Sequence, residues 1–179
     1  MTVHESAYEQ LLHWAPSSPH QDDLRHEFLQ CLATQENGCL RSGRPDHLTA
    51  SALVVNADRT RVLLCLHRKV GIWLQFGGHI ETADQTLADA ALREAQEESG
   101  ITALTLVDAS PARLDRHSAP CGGGARHHLD VQFVAVTPAG AAPVASAESL
   151  DVAWFEADAL PDETDDAVRA LVNEALRQP

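Results

Sequence analysis

From Arg93 to Gly100 the chain reads Arg-Glu-Ala-Gln-Glu-Glu-Ser-Gly, placing carboxylates at Glu94, Glu97 and Glu98. On an α-helix, positions i, i+3 and i+4 share one face, so three negative charges are forced together. Crowding of this kind raises carboxyl pKa values unless a cation compensates it. An all-oxygen donor set suits a hard divalent ion, Mg²⁺ or Mn²⁺. The bland alternative is a solvated acidic helix face, which is what most charge runs are.

The elements needed to position these groups can be read around them. Thr86, followed three residues later by Asp89, resembles a capping box, and Gly100 suits the left-handed position past a helix end. With an alanine-rich interior, residues 86–99 therefore read as a helix whose Ala88, Leu92 and Ala95 face the core. Before it, residues 73–80 form a glycine-centred loop or short strand around Gly77 and Gly78. Residues 48–55 and 62–66 are apolar runs separated by Asn56-Ala57-Asp58-Arg59, which fits two strands and a turn. Residues 103–107 read as another strand, and residues 110–125 as a loop rich in Pro, Gly and Ser.

Residues 128–136 alternate, with Leu129, Val131, Phe133 and Ala135 on one side and Asp130 and Gln132 on the other, as a long strand requires. A short strand over 152–155 and an amphipathic helix over 163–177, with Val168, Leu171, Val172 and Ala175 inward, close the chain. Residues 1–46 read as an N-terminal helical extension. Tyr8, Leu11, Leu12 and Trp14 mark one amphipathic stretch and Leu24, Phe28, Leu29 and Leu32 a second, broken apart at Pro16 and Pro19. Packing or a dimer contact is the plain role of this extension.

At 179 residues, 44% hydrophobic and 22% charged, the chain can bury one full core but not two. Its formal charge of −13 opposes a nucleic-acid polymer as partner. A small phosphorylated substrate stays compatible, because a bound cation reverses the sign of an acidic site locally. No apolar run approaches the roughly 20 residues of a membrane span, and Met1-Thr2-Val3-His4-Glu5 lacks the pattern of a signal peptide, so a cytoplasmic protein without membrane partners is expected. Cys31, Cys39, Cys65 and Cys121 form no Cys-x-x-Cys pair and read as reduced thiols.

The segment from Gly78 to Ile101 resembles the Nudix box, Gly-x5-Glu-x7-Arg-Glu-U-x-Glu-Glu-x-Gly-U with U aliphatic. Gly78 matches its opening and the run from Arg93 to Ile101 its end, with Ala95 a small first U. Asp84 stands where the family has Glu, and eight residues instead of seven separate it from Arg93. A shorter side chain on a longer loop puts its usual contact in question. The resemblance covers residues 47 to about 177, including the lead-in His67 to Gln75, although Phe76 replaces a frequent proline. It implies an α/β (α+β) fold, a Nudix-type α/β/α sandwich with a mixed sheet, over residues 47–179.

The resemblance further implies a MutT-like pyrophosphohydrolase that cuts a pyrophosphate bond in a small nucleoside-diphosphate-linked molecule. Glu94, Glu97 and Glu98 would ligate the metal with the Gly77 carbonyl, and Arg93 would orient one glutamate. For the general base, the family draws on the box helix or a later loop; Glu148 is the loop candidate, and an exposed loop carboxylate is its plain reading. Gln75 and His79 are placed to touch phosphate or to stabilise their loop. His117, Cys121, His127, His128 and Asp130 raise zinc as a possibility, but their spacing matches no common zinc pattern. A homodimer is compatible with the resemblance.

Substrate signatures are absent or ambiguous. Tyr8 is the sole tyrosine, so the dinucleoside polyphosphate marker after the box is missing, and neither Pro111 nor Pro120 sits where the ADP-ribose subgroup has its own. Two readings from other classes remain: a catalytically weak Nudix-like nucleotide-sensing module, and an isomerase of a diphosphate lipid precursor. Sensing modules commonly lose box carboxylates, whereas all three are present; the isomerase needs further catalytic residues that this sequence does not show.

Overall fold

In the computed structural model, which describes residues 1–43, 45–118 and 127–177, two capped helices begin the chain. Thr2 and Glu5 form a reciprocal capping box at α1 (Val3–His13). Ser18 accepts from the Gln21 N–H to start α2 (Pro19–Thr34), whose first residue is a proline, tolerated there because that N–H has no helical partner. The second helix stops at Thr34, with the Gln35 N–H donating to the Cys31 carbonyl.

The remaining elements are β1 (His47–Val55), β2 (Arg61–His67), β3 (Trp73–Leu74), β4 (Phe76–His79), α3 (Leu87–Ser99), β5 (Thr105–Leu106), β6 (Arg113–Ser118), β7 (His127–Val136), β8 (Ser149–Glu156) and α4 (Asp166–Ala175). The eight strands make one mixed sheet in which β1 is central. It runs parallel to β7 from His47↔His128 to Val55↔Val136. On its other edge β1 pairs antiparallel first with β4, through Ser51↔Gly77, and then with β2, through Val54↔Leu63. All nine β1 residues are buried, as a strand covered on both faces demands.

Alternation sorts the two faces. Leu48, Ala50, Ala52 and Val54 of β1 join Leu129, Val131, Phe133 and Ala135 of β7 in a core shared with α1, α2 and α3. The opposite face, with Leu53, Val55, Leu64 and Val134, is covered by Val168, Leu171, Val172 and Ala175 of α4. This is the expected α/β/α sandwich. The N-terminal helices contribute Ala7, Leu11, Leu24 and Phe28 to the same core as the sheet. Cys31, Cys39 and Cys65 are free and buried, and burial pushes their thiols up to about 11, 12 and 12; Cys121 and Pro120 lie outside the described residues.

Two expectations need correction. The segment expected as a loop over 110–125 contains β6, whose burial is confined to Leu114 with Arg113 and Asp115 partly covered. An edge strand of Arg, Asp, Arg and His carries no apolar alternation and is invisible to periodicity. The strand expected over 103–107 shrinks to Thr105–Leu106, paired with the end of β7. The closing helix starts at Asp166, where Asp165 accepts from the Val168 N–H.

One side chain couples the N-terminal helices to the sheet. Gln21, 5% exposed, donates from Nε2 to the Leu114 carbonyl at 2.9 Å and accepts at Oε1 from the Leu114 N–H at 2.7 Å. Trp14 donates from its indole to the Pro111 carbonyl at 2.7 Å, and Gln10 to that of Ala109 at 2.7 Å. The amide of Gln21 thus takes the place of a further strand. Gln21→Leu leaves both Leu114 groups buried and unpaired and is expected to destabilise the protein by about 2–3 kcal/mol. Urea unfolding measures this, and a loss below about 0.5 kcal/mol would mean that water replaces the amide.

Candidate active site

Helix α3 begins at Thr86, whose hydroxyl accepts from the Asp89 N–H, and ends at Gly100 with φ 69°. Leu87, Ala88, Ala90, Ala91 and Ala95 anchor it to the sheet, turning the glutamates toward β4. They do not share one environment. Glu98 is 7% exposed, Glu94 is partly buried, and the Glu97 side chain is 62% exposed.

Two glycines set the distance between α3 and the sheet. A Cβ on Gly77 would overlap Ser51 of β1, with backbone 2.7 Å and 2.9 Å away at Ser51 Cα and the Ala50 carbonyl. A Cβ on Gly78 would instead meet the carboxyl group of Glu94 at 2.7–2.8 Å. Gly77 is therefore required by the strand pairing and Gly78 by a side chain. The Gly77 N–H donates to Glu98 Oε2 at 3.1 Å.

Arg93 gathers the box together. Its Nε and Nη2 donate to the two oxygens of Asp84, each at 3.0 Å, and Nη2 donates also to the His79 carbonyl at 3.0 Å. Nη1 donates to Glu94 at 2.9 Å and to Glu97 at 3.4 Å. The guanidinium thus spans loop, strand and helix, with its shorter helix contact at Glu94. Asp84 is 8% exposed and meets the guanidinium as a two-pronged pair. The hydrogen bonds to Asp84 and then to Glu94 push the Arg93 pKa up further, so its charge is permanent.

The acids respond in the opposite sense. Burial raises the Glu98 carboxyl to about 7, against the pull of the Gly77 N–H, and Glu94, Glu148 and Glu97 add to the rise. Burial likewise raises Glu94, in spite of Arg93. Glu148 stands exposed in the loop before β8, near enough for its charge to raise both glutamates. That loop is held by Arg68, which donates to the carbonyls of Ala147 and Ser149 at 3.0 Å and 3.1 Å. His67, Arg68, Lys69, Ala147 and Glu148 line an open cleft.

Among the described residues Glu98 forms no ion pair, and its buried carboxylate has a single N–H donor while the charges of Glu94, Glu148 and Glu97 act against its ionisation. An all-oxygen set with that unmet demand fits a hard divalent cation. The glutamates are not drawn to a single point. The group of side chains whose three ligand atoms lie within 4.8 Å of one another is a different one, His47, His79 and His128.

Of the zinc-capable residues suggested by the sequence, His128 joins His47 and His79, while the other described ones are engaged elsewhere. His127 contacts Asp46 at 3.2 Å, His117 contacts Asp115 at 3.0 Å, and Cys121 is outside the described residues. Asp130 serves the sheet: buried at 3% exposure, it accepts from Thr49 at 2.9 Å, Ser51 at 2.6 Å and Gln132 at 3.1 Å. Gln75 reaches the same carboxylate and Ser51 at 3.4 Å, which supports its reading as a loop stabiliser. His47 was not singled out by sequence reasoning; a histidine opening an apolar strand carries no signal until the register of β1, β4 and β7 is known.

The sequence matches the NUDIX domain over residues 45–175, and the chain belongs to the Nudix family. No curated protein matches it. Among solved structures, a Nudix-family hydrolase from Clostridium perfringens is similar at 25% identity, with a TM-score of 0.61, covering 73% of this chain and 95% of that one. The dihydroneopterin triphosphate pyrophosphohydrolase of E. coli (24% identity, TM-score 0.60, 73% and 94% covered) shares the fold. So does an ADP-ribose pyrophosphatase from Streptococcus suis (23%, 0.53, 73% and 92%).

The two glycines should respond differently to a methyl group. Gly77→Ala is expected to cost at least about 2 kcal/mol in urea unfolding, because backbone must move. Gly78→Ala is expected to keep the fold, displace only the Glu94 carboxylate and weaken Mn²⁺ binding by roughly tenfold in calorimetric titration. The reverse order would show that the glycines do not act in this way.

Glu98 also sets a pH dependence. Its folded pKa of about 7 lies above its ordinary 4.5, so the metal-free folded state binds more protons between those values and loses stability as pH rises through that window. Glu98→Gln removes the effect and is expected to gain on the order of 1–3 kcal/mol relative to the parent at pH 8 over pH 5, read by urea unfolding in EDTA. Parallel pH profiles for the two proteins would contradict the assignment.

Proposed function

We propose that this Nudix pyrophosphohydrolase depends on Mg²⁺ or Mn²⁺ and cleaves the pyrophosphate bond of a small nucleoside-diphosphate-linked substrate. The observation that carries the reading is Glu98, a buried carboxylate bonded to the Gly77 N–H within the field of Glu94 and Glu148, with no ion pair among the described residues. Glu94, Glu97, Glu98 and the Gly77 carbonyl are the proposed ligands. The cation, when bound, supplies neutralising charge to the bridging phosphates and makes a water more acidic.

The chain supplies the rest. Arg93 holds Glu94 and Glu97 on the substrate side and stays bound to Asp84, so its charge is spent on alignment. Glu148, exposed at the rim of the cleft with Arg68 and Lys69, is the proposed base, taking the proton of the water that attacks phosphorus while the other phosphate leaves. The one-domain reading of residues 47–179, with an N-terminal helical extension over 1–46, a cytoplasmic setting in keeping with reduced thiols, and a possible homodimer, belongs to this proposal.

Phosphate release, coupled to a phosphatase, across nucleoside triphosphates, nucleotide sugars, ADP-ribose and dinucleotides tests the reading. Turnover should require Mg²⁺ or Mn²⁺ and disappear with EDTA. Glu97→Gln and Glu98→Gln should each lower kcat at least about 100-fold with the fold retained, and Glu148→Gln by roughly 10²–10⁴-fold. Full activity in both box variants would overturn the metal assignment, and an unchanged rate in Glu148→Gln would remove that residue as base.

A further inference from the structure

Three histidines from three neighbouring strands meet beside the box glycines. His47 opens β1, His128 is its parallel partner on β7, and His79 ends β4 two positions from Gly77. The ring centres of His47 and His128 are 5.0 Å apart, those of His47 and His79 5.2 Å, and those of His79 and His128 5.2 Å. One ligand nitrogen from each lies within 4.8 Å of the other two.

Those separations can be compared with what coordination requires. With Zn–N bonds of about 2.0–2.1 Å and a nitrogen roughly 1.1 Å from its ring centre, each ring centre lies about 3.2 Å from the ion, and two tetrahedrally disposed rings have centres about 5.2 Å apart. The observed triangle has that size on all three sides. Coordination would draw the three nitrogens, here within 4.8 Å of one another, to about 3.4 Å, a side-chain rotation that leaves the ring centres where they are.

We propose that His47, His79 and His128 form a second metal site, for a borderline transition ion of the Zn²⁺ class, separate from the carboxylate site. Nitrogen donors select such an ion over Mg²⁺ and Ca²⁺, which take oxygen. His47 is fully buried and forms the floor, while His79 and His128 are half-buried and leave the remaining coordination position toward solvent. His117 packs edge-on against His128 at 5.4 Å and is paired with Asp115, which holds the outer ring in place.

The site has a structural effect on its neighbour. It ties the end of β4 to β1 and β7, and the His79 carbonyl is an acceptor of Arg93. An ion there fixes the strand that carries Gly77 and Gly78 without taking part in the glutamate cluster. The inference does not depend on the proposed reaction, since its donors and its ion differ from those of the box.

The test is titration of chelator-treated full-length protein with Co²⁺ in excess Mg²⁺, followed by visible absorption. One equivalent should give the intense bands of tetrahedral Co²⁺, displaceable by Zn²⁺. The bands should persist in Glu98→Gln and be lost in His79→Gln and in His128→Gln. Zn²⁺ should raise the Tm of the parent by several degrees and leave the histidine variants unmoved. X-ray absorption of the Zn²⁺-loaded parent, which needs no variant to fold, should show three imidazole nitrogens. Only weak octahedral absorption, bands lost in Glu98→Gln but kept in the histidine variants, or an oxygen-only shell would each overturn the proposal.

Discussion

Everything at this site hangs on one guanidinium. Among the described residues Arg93 is the cation that pairs with the crowded acids of α3, and it reaches a loop carboxylate at Asp84, a strand carbonyl at His79 and two helix carboxylates at Glu94 and Glu97. Loop, strand and helix are thereby referenced to one rigid planar group whose five donors point in fixed directions. A lysine could offer the charge but not the fork. Because Arg93 is engaged on both sides, it offsets part of the repulsion and leaves Glu98 to burial.

The balance between α3 and β4 depends equally on what is missing from Gly77 and Gly78. Removing two side chains lets the helix approach until a backbone N–H meets Glu98, which places a buried acid within hydrogen-bond reach of the strand. A buried carboxylate elsewhere in the sheet is treated differently: Asp130 is surrounded by hydroxyl and amide donors from Thr49, Ser51 and Gln132. One acid is fully satisfied and structural, and the other is under-satisfied beside the cleft. That contrast separates scaffold from site more sharply than charge or burial alone.

Much of this was legible in the sequence. The box helix, its caps, the inward alanines and the strands β1, β2 and β7 all follow from periodicity and end signals, because each buries an apolar face. What escaped reading was decided by long-range register. The polar edge strand β6 has one buried residue, and Asp84 could be judged only once the loop was seen to fold inward. His47, His79 and His128 are separated by 32 and 49 positions along the chain and become neighbours only when β1 is laid between β4 and β7. Side-chain type and spacing identify chemistry carried on one helix; chemistry assembled across strands needs the topology.

The contact between Gln21 and Leu114 has a bearing on how the molecule behaves in company. An open sheet edge with unpaired N–H and C=O groups facing outward is a template on which another chain can add. The edge of β6 is short and charged, and at its one apolar residue a helix side chain presents an amide in strand-like geometry, so both outward groups are already occupied. The N-terminal extension thus acts as a guard on the border of the sheet. A chain shortened past α2 would keep every box residue yet leave the Leu114 groups of β6 open to pairing with a neighbouring copy.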